Sequence, residues 1–348
     1  MLDKVEIRIG DKTISSFTEY EADSDLLTIA DAFRCRTGKL RPEEAIAIKA
    51  GARFYLYVNR TLEMNGIIDR TRKTHSKGEL SAAIEGRDLG GIIVDACLTN
   101  WNTIPQKNLR TLARQLLGDL PFISSERVVF EKGADAAVQK AFKKAQYCPG
   151  HTVASALTDY CQRLGLIFWI EPDGSVEFGK LRTSGSPDYS FYLYRGQKQA
   201  SRNNVLSIEE DDNISKRYSQ VEVVGQVQGE DDIEPGGHSI IGKASDKGFP
   251  FYKPLVKEAN PHMGSVKSQA VHETLKRKAE GYRITVTAPR HGQDGKNFRA
   301  NRIAFVEDDA LGVRGNFLVL KRTFRYDKRG GQRTEMTLGL PMEGYSVH

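Results

Sequence analysis

The sequence predicts an α+β, mainly β chain, with two antiparallel β regions separated by a smaller α/β region. Three observations carry this expectation. Short runs of alternating apolar and polar residues, bounded by turn residues, fill residues 1–98 and return after 184. Between them the apolar spacing lengthens from the strand period of two to the helical period. At 348 residues the chain also exceeds the roughly 250–300 residues at which a single core stops growing. The domains are accordingly assigned as 1–98, 99–183 and 184–348.

The first region opens with Val5, Ile7 and Ile9 in alternation, turns at Gly10-Asp11-Lys12, and returns through Ile14 and Phe17. Ile29, Ala32, Phe33 and Cys35 mark a further strand, and Ala52 to Val58 is a strongly β-prone run. Asn59-Arg60 turns the chain into Thr61–Met64. The stretch Asn65–Val94 then reads as a hairpin, with Ile67 and Ile68 answered by Leu80, Ala82 and Ile84 across the turn residues His75-Ser76-Lys77-Gly78. After Glu85, Gly86 is expected to supply a backbone excursion. Leu89, Ile92, Ile93 and Val94 would then plug the strand's apolar face. Six or seven strands without a long helix suit a small antiparallel barrel or sandwich.

In the middle region Leu109, Leu112, Ala113, Leu116 and Leu117 form one helix face, stopped by Gly118. Phe122–Phe130 reads as extended and Ala134–Ala145 as helical. The unit 152–178 is a helix on a hairpin: Thr152 caps it, Val153 to Leu164 keep helical spacing, and Gly165 occupies the left-handed cap position. Leu166–Ile170 and Ser175–Phe178 are its strands, with Glu171-Pro172-Asp173-Gly174 as the turn.

Ser184-Gly185-Ser186-Pro187 marks a linker, after which Val205–Ile208 and Gln220–Val224 are strands. The stretch 229–264 is rich in Gly, Pro and charge and reads as a long surface loop, followed by a polar helix over 265–280 that completes an excursion, 229–281. Tyr282–Thr287, Asn301–Phe305, Phe317–Tyr326 and Thr334–Leu340 complete the second β set, with Lys328-Arg329-Gly330-Gly331 at a hairpin tip. Phe317–Leu340 is the expected counterpart of the Asn65–Val94 hairpin.

A hydrophobic content of 39% and a charged content of 28% are those of a soluble globular chain. No apolar run reaches the roughly 20 residues of a membrane span. MLDKVEIRIG lacks the apolar core of a secretory signal, so a cytoplasmic site of synthesis is expected. Cys35, Cys97, Cys148 and Cys161 show no CxxC spacing and read as reduced packing residues. The net charge of +6 is dispersed among 45 acidic residues.

No catalytic, cofactor-binding or metal-ligating residues are assigned. The acidic runs Glu209-Glu210-Asp211-Asp212, Glu230-Asp231-Asp232 and Glu307-Asp308-Asp309 could pair carboxylates, but as charges at strand ends or in loops they are better read as solvated. HExxH is absent, and His262 and His272 lie too far apart for a compact metal motif. Cys161 sits on an apolar helix face; GxSxG, a phosphate loop and a strand-linked GxGxxG are all missing. Arg70, Arg72, Lys73, His75 and Lys77 form a basic run at the first hairpin's tip, read either as solvated or as a rim facing a polyanion in a pore.

Taken together, Gly66-Ile67-Ile68-Asp69, Glu85-Gly86-Arg87-Asp88-Leu89, the unit Val153–Gly174 and the terminal Arg333–Leu340 strand resemble, in that order, the Mu-type baseplate hub or late tail proteins of contractile-tailed phages and Mu-like prophages. The resemblance spans the chain in element order, although 229–264 aligns with no motif. It implies two tail-tube-like antiparallel β-barrel domains separated by small α/β domains. It further implies a non-enzymatic homotrimer forming a pseudo-sixfold ring in the virion baseplate, assembled in the host cytoplasm, without membrane insertion. Its partners would be the tail tube protein, the central spike protein and other baseplate proteins, with DNA only in transit. Two rival functions remain: a basic nucleic-acid-binding β protein, and a cell-wall-acting baseplate enzyme.

Overall fold

The structure, a computed structural model, describes residues 3–99, 102–105, 108–140, 144–147, 149–196, 199–226, 239–259 and 265–341. The first β unit comprises β1 (Val5–Ile9), β2 (Lys12–Ile14), β3 (Phe17–Asp25), β4 (Ala32–Thr37), helix α1 (Pro42–Ala47), β5 (Arg53–Val58), β6 (Thr61–Ser76) and β7 (Glu79–Asp88), closed by α2 (Gly90–Asp95). The middle region follows with β8 (Asn102–Pro105), α3 (Leu109–Gly118), β9 (Val128–Phe130), α4 (Asp135–Val138), β10 (Lys144–Tyr147), α5 (Val153–Leu164), β11 (Ile167–Ile170) and β12 (Val176–Gly179). The second β unit holds β13 (Tyr189–Leu193), β14 (Ser207–Asp212), β15 (Gln220–Gln226), β16 (Ser239–Ser245), β17 (Pro254–Glu258), α6 (Val266–Glu280), β18 (Tyr282–Ala288), β19 (Gly292–Gln293), β20 (Lys296–Asn297), β21 (Ile303–Asp308), β22 (Val313–Asp327) and β23 (Gly331–Gly339).

The chain is mostly β, and its two β units share one 13-stranded sheet whose main path runs β14-β18-β23-β22-β3-β4-β7-β6-β5-β1-β2. Antiparallel pairing of β22 with β3, Lys321 opposite Asp25 through Asp327 opposite Glu19, makes the join. Two tail-tube-like antiparallel β-barrel domains separated by small α/β domains were the expectation from sequence, and the mainly β character holds. Among the described residues no closed barrel forms: β22 pairs within the second unit and with β3, so both units lie in one sheet whose path is open at both ends.

Within that sheet a five-strand pattern occurs twice. Strands β3, β4, β7, β6 and β5 are neighbours in that order, every pair antiparallel. Strands β14, β18, β23, β22 and β21 repeat the order and the sense, in the same chain sequence. Even the irregularity is repeated: the register shifts between Ile68 and Arg70 in β6 and between Val319 and Lys321 in β22. An extra residue at each point increases local twist and redirects the strand. That lets the first half of each long strand pair with one neighbour and the second half leave it.

One face of the sheet is apolar, as strand alternation requires. Phe33, Phe54, Leu56, Ile68 and Ile84 of the first unit join Ile284, Val286, Val306, Phe324 and Met336 of the second in a continuous core. Gly86 has its role here. It does not create a backbone excursion; it lies within β7 opposite Ile68, where a Cβ would stand 2.6 Å from the Ile67 carbonyl and 2.8 Å from the Phe54 ring. Absence of a side chain lets the aromatic ring cover two strands.

The α2 segment does not plug the sheet either. Leu89 and Ile93 pack into a second core with Leu112, Leu116, Leu157, Phe168 and Phe178 of the middle region, so the corner after β7 ties that region to the sheet. Asn108 caps α3 and Thr152 caps α5 through their side-chain oxygens, and Gly165 ends α5 at φ 64°. The expected helix over Ala134–Ala145 reduces to the one-turn α4, and β10 follows it, paired with β8. Likewise Phe122–Phe130 contributes only the short β9.

Part of the expected 229–264 loop is folded: β16 and β17 flank β15 in a three-stranded sheet. Helix α6 covers it, with Gly242 admitting the Val266 backbone in van der Waals contact where a Cβ could not fit. Residues 227–238 and 260–264, including Glu230-Asp231-Asp232 and His262, lie outside the described residues. Glu209–Asp212, expected as solvated residues at a strand end, are the body of β14.

Candidate functional site

The sheet's second face is polar, and its charges alternate by strand. Glu21 on β3 accepts from Arg34 on β4 at 2.8 Å and lies 3.6 Å from Arg325 on β22. Glu19 pairs with Arg36 at 2.9 Å, and Lys321 reaches Asp25 at 3.2 Å and Asp23 at 3.6 Å. Exposed pairs of this kind stabilise by at most about 1 kcal/mol each. Their larger effect is electrical: the acidic column of β3 is flanked by basic columns on β4 and β22, so these charges offset one another locally.

At one end of this face the balance shifts. Arg36, Lys39, Arg70, Arg72 and Lys328 line a concavity of about 690 Å³, with Glu79 and Glu85 as its acids. Alternation divides the basic run read from the sequence. Arg70 and Arg72 stand on the polar face opposite Glu85 and Ala83, whereas Lys73 and His75 stand opposite Ala82 and Leu80 on the other face, and Lys77 falls in the turn. The sequence therefore located two of the groove's cations. It missed Arg36, Lys39 and Lys328, which arrive from β4, the loop after it, and the tip between β22 and β23.

The two β units are also locked together by buried polar groups. Glu63 on β6 and Arg322 on β22 have side chains 0% and 3% exposed, and Arg322 Nη2 donates to Glu63 Oε2 at 2.7 Å. Asn297 Nδ2 donates to the other oxygen at 2.7 Å, while Arg322 Nε and Nη1 donate to the Phe298 and Ala22 carbonyls. Its guanidinium also lies over the Phe324 ring at 3.8 Å. Every part of the buried charge is thus matched, as burial demands.

His291 makes a second lock. Thr334 Oγ1 donates to the Arg290 carbonyl and so accepts from His291 Nδ1 at 3.0 Å. Gln332 donates to Tyr20 Oη, which in turn donates to His291 Nε2 at 2.7 Å. The chain of donors assigns a neutral imidazole with its proton on Nδ1. Burial, with the Arg322 charge nearby, pushes its pKa down to about 4, and burial pushes the Tyr20 phenol up.

Where both β units meet the middle region there is an acidic cavity of about 490 Å³, lined by Asp31, Asp88, Glu171 and Glu177 among others. Burial raises Asp31 to about 7, and burial with the neighbouring Glu171 and Glu131 charges raises Glu177 to about 7. Asp31 accepts from the Asp25 amide and Asp88 from the Gly90 amide. These carboxyls hold the loop after β3 and the corner before α2.

Other sequence candidates have structural duties. Asp308 accepts from the Ala310 and Leu311 amides and Asp309 from the Arg195 amide. Cys35 and Cys161 are buried with their thiols pushed up by that burial, as packing residues should be, but Cys97 is exposed and is not one. No helix of the described residues is long and apolar enough to cross a membrane.

Comparison with known proteins agrees with this architecture. Residues 4–88, the first β unit, match the model of the Mu phage baseplate assembly protein GpP-like N-terminal domain. A search by sequence found no match among curated proteins. Among solved structures, a tail protein from Neisseria meningitidis MC58 is 25% identical with a TM-score of 0.82, over 100% of this chain and 98% of that one. The 43 kDa tail protein of prophage MuSo2 from Shewanella oneidensis is 16% identical, with a TM-score of 0.79 over 97% and 98%. An Escherichia coli type VI secretion component described as similar to the T4 tail proteins gp27 and gp5 shares the fold at 11% identity and a TM-score of 0.63, over 99% and 78%. The chain thus begins with a domain similar to the N-terminal domain of the Mu phage baseplate assembly protein GpP-like family, and over its whole length it is similar in fold to prophage tail proteins.

Proposed function

We propose that the chain is the structural hub of a contractile-tail baseplate, a homotrimer whose ring joins a sixfold tail tube to a threefold central spike. The observation that carries this is the duplicated five-strand pattern. Three chains with two equivalent units each present six similar β units around one axis. A closed ring of head-to-tail contacts needs no further symmetry.

The polar face suits a wall past which DNA travels. Away from the basic concavity, its arginines on β4 and β22 are matched with carboxylates on β3, so a passing polyanion meets little net attraction there. A nucleic-acid-binding protein would leave its cations unmatched, because affinity comes from phosphate neutralisation. The cell-wall-acting alternative needs a carboxylate pair aimed at substrate, and the acidic-cavity carboxyls Asp31 and Asp88 each hold a backbone amide. The ring would sit in the virion baseplate with the tube protein on one face, the spike on the other and further baseplate proteins outside.

Light scattering at low and high salt tests this directly. The expected particle has three times the 38.9 kDa chain mass at both salts. A persistent monomer would sink the proposal.

A further inference from the structure

The same pairing that joins the two units inside one chain is left unmade on two other edges, the far half of β6 and the terminal strand β14. Beyond Ile68 the β5 side of β6 has no strand partner among the described residues, so the edge from Arg70 to Ser76 is open. At the far end, among the described residues, β14 pairs only with β18. One open edge carries Arg72 and Lys73 and the other Glu209 to Asp212, all exposed. Unpaired edges of this length invite a further strand unless blocked.

The repeat states how these edges would meet. Aligning the two register shifts places Arg70 on Lys321 and Thr71 on Arg322. Following partners across the sheet, from Ala22 through Phe33, Gly86 and Ile68, and from Glu210 through Ile284, Leu338 and Val319, places β3 on β14 with Ala22 at Glu210. The observed β22 and β3 register, Thr323 opposite Asp23 and Phe324 opposite Ala22, then transfers without adjustment.

Resting on the ring reading above, we infer that β6 of one chain pairs antiparallel with β14 of the next, with Arg72 opposite Asp211, Lys73 opposite Glu210 and Thr71 opposite Asp212. Charge favours the register: both opposed ionic pairs are of unlike sign, and such cross-strand pairs are attractive. Side-chain direction agrees as well. Arg72 and Asp211 both lie on the polar face, and Lys73 and Glu210 both on the other. An independent observation comes from Thr71, whose buried hydroxyl has no hydrogen-bond partner among the described residues. Asp212 of the neighbouring chain supplies an acceptor. The partner is a second copy of this chain, and three such contacts close the ring.

The test is disulfide trapping in a Cys97→Ser chain, with Lys73→Cys plus Glu210→Cys in one variant and Thr74→Cys plus Glu209→Cys in another. Opposed Cα atoms in an antiparallel pair stand roughly 4.5–5.5 Å apart, within disulfide reach. Mild oxidation should give covalent trimers on a non-reducing gel, absent from chains that carry only one of the two introduced cysteines and reversed by thiol. If reduced samples have trimer mass but neither pair cross-links, the strand pairing is overturned while the ring stands. A monomer mass before oxidation overturns the ring and the pairing with it. Arg72→Asp should shift the trimer toward monomer at least tenfold in dilution, and adding Asp211→Arg should restore it; a failure to restore counts against the register.

Discussion

Glu63 and Arg322 give the sharpest stability prediction, because they connect the two β units through a charge pair sealed from water. Replacing Glu63 by Gln keeps the volume and the acceptor for Asn297 but leaves the guanidinium of Arg322, 3% exposed, without its counter-charge. Among the described residues Arg299 is the only other cation paired with Glu63, at 3.9 Å, and it cannot substitute for an anion. Removing one member of a buried pair costs roughly 3–5 kcal/mol, much of it the penalty of an uncompensated charge. Arg322→Met should cost a similar amount, since it orphans Glu63 and two backbone carbonyls and removes the stacking on Phe324. The double replacement should cost clearly less than the sum, with a coupling of about 1–3 kcal/mol. Urea unfolding followed by circular dichroism measures all four proteins, with an unchanged slope showing that the same surface unfolds. The reasoning fails if Glu63→Gln lies within about 0.5 kcal/mol of the parent or if the two effects simply add.

Two further outcomes follow from the same core. His291 has a folded pKa of about 4 against an ordinary 6.5, so its contribution is full above pH 6.5 and is lost as pH falls toward 4, because the unfolded chain takes up the proton first. The difference amounts to about 3 kcal/mol; stability titrated between these limits should rise with pH, and His291→Gln should flatten that rise while lowering stability throughout. An unchanged slope in the variant would show that other groups govern it. Gly86→Ala should destabilise by roughly 1–3 kcal/mol through overpacking against Ile67 and Phe54, read as a lower melting temperature; an unchanged melting temperature would mean that the Phe54 ring is not held against β7.

The β architecture was readable because it is written in local alternation and punctuation. The hairpin at Lys77-Gly78, the cap at Thr152 and the left-handed Gly165 each need only a few neighbouring residues to be recognised. Misreadings occurred where distant pairing overrode local preference. Glu209–Asp212 has a poor β composition, yet β18 holds it as a strand; Ala134–Ala145 has helical composition but is cut short so that β10 can reach β8. The basic run around Arg72 was visible, and strand alternation alone separates Arg70 and Arg72 from Lys73 and His75, but which set reaches the polar face depends on the extra residue at Asp69. Glu63 and Arg322 are 259 residues apart, and no sequence pattern announces a partner at that distance. The duplication itself is one of strand order and register, carried by unlike side chains such as Ala22 and Glu210 at matching places.

The central claim is that two equivalent β units per chain let three chains stand in for six, and averaged electron-microscope images of the purified particle, viewed down its axis, test it most directly. Six similar lobes around an open channel, alternating slightly in shape with threefold symmetry, are the expected result. A particle without a channel, or with an axis of any order other than three, would contradict it.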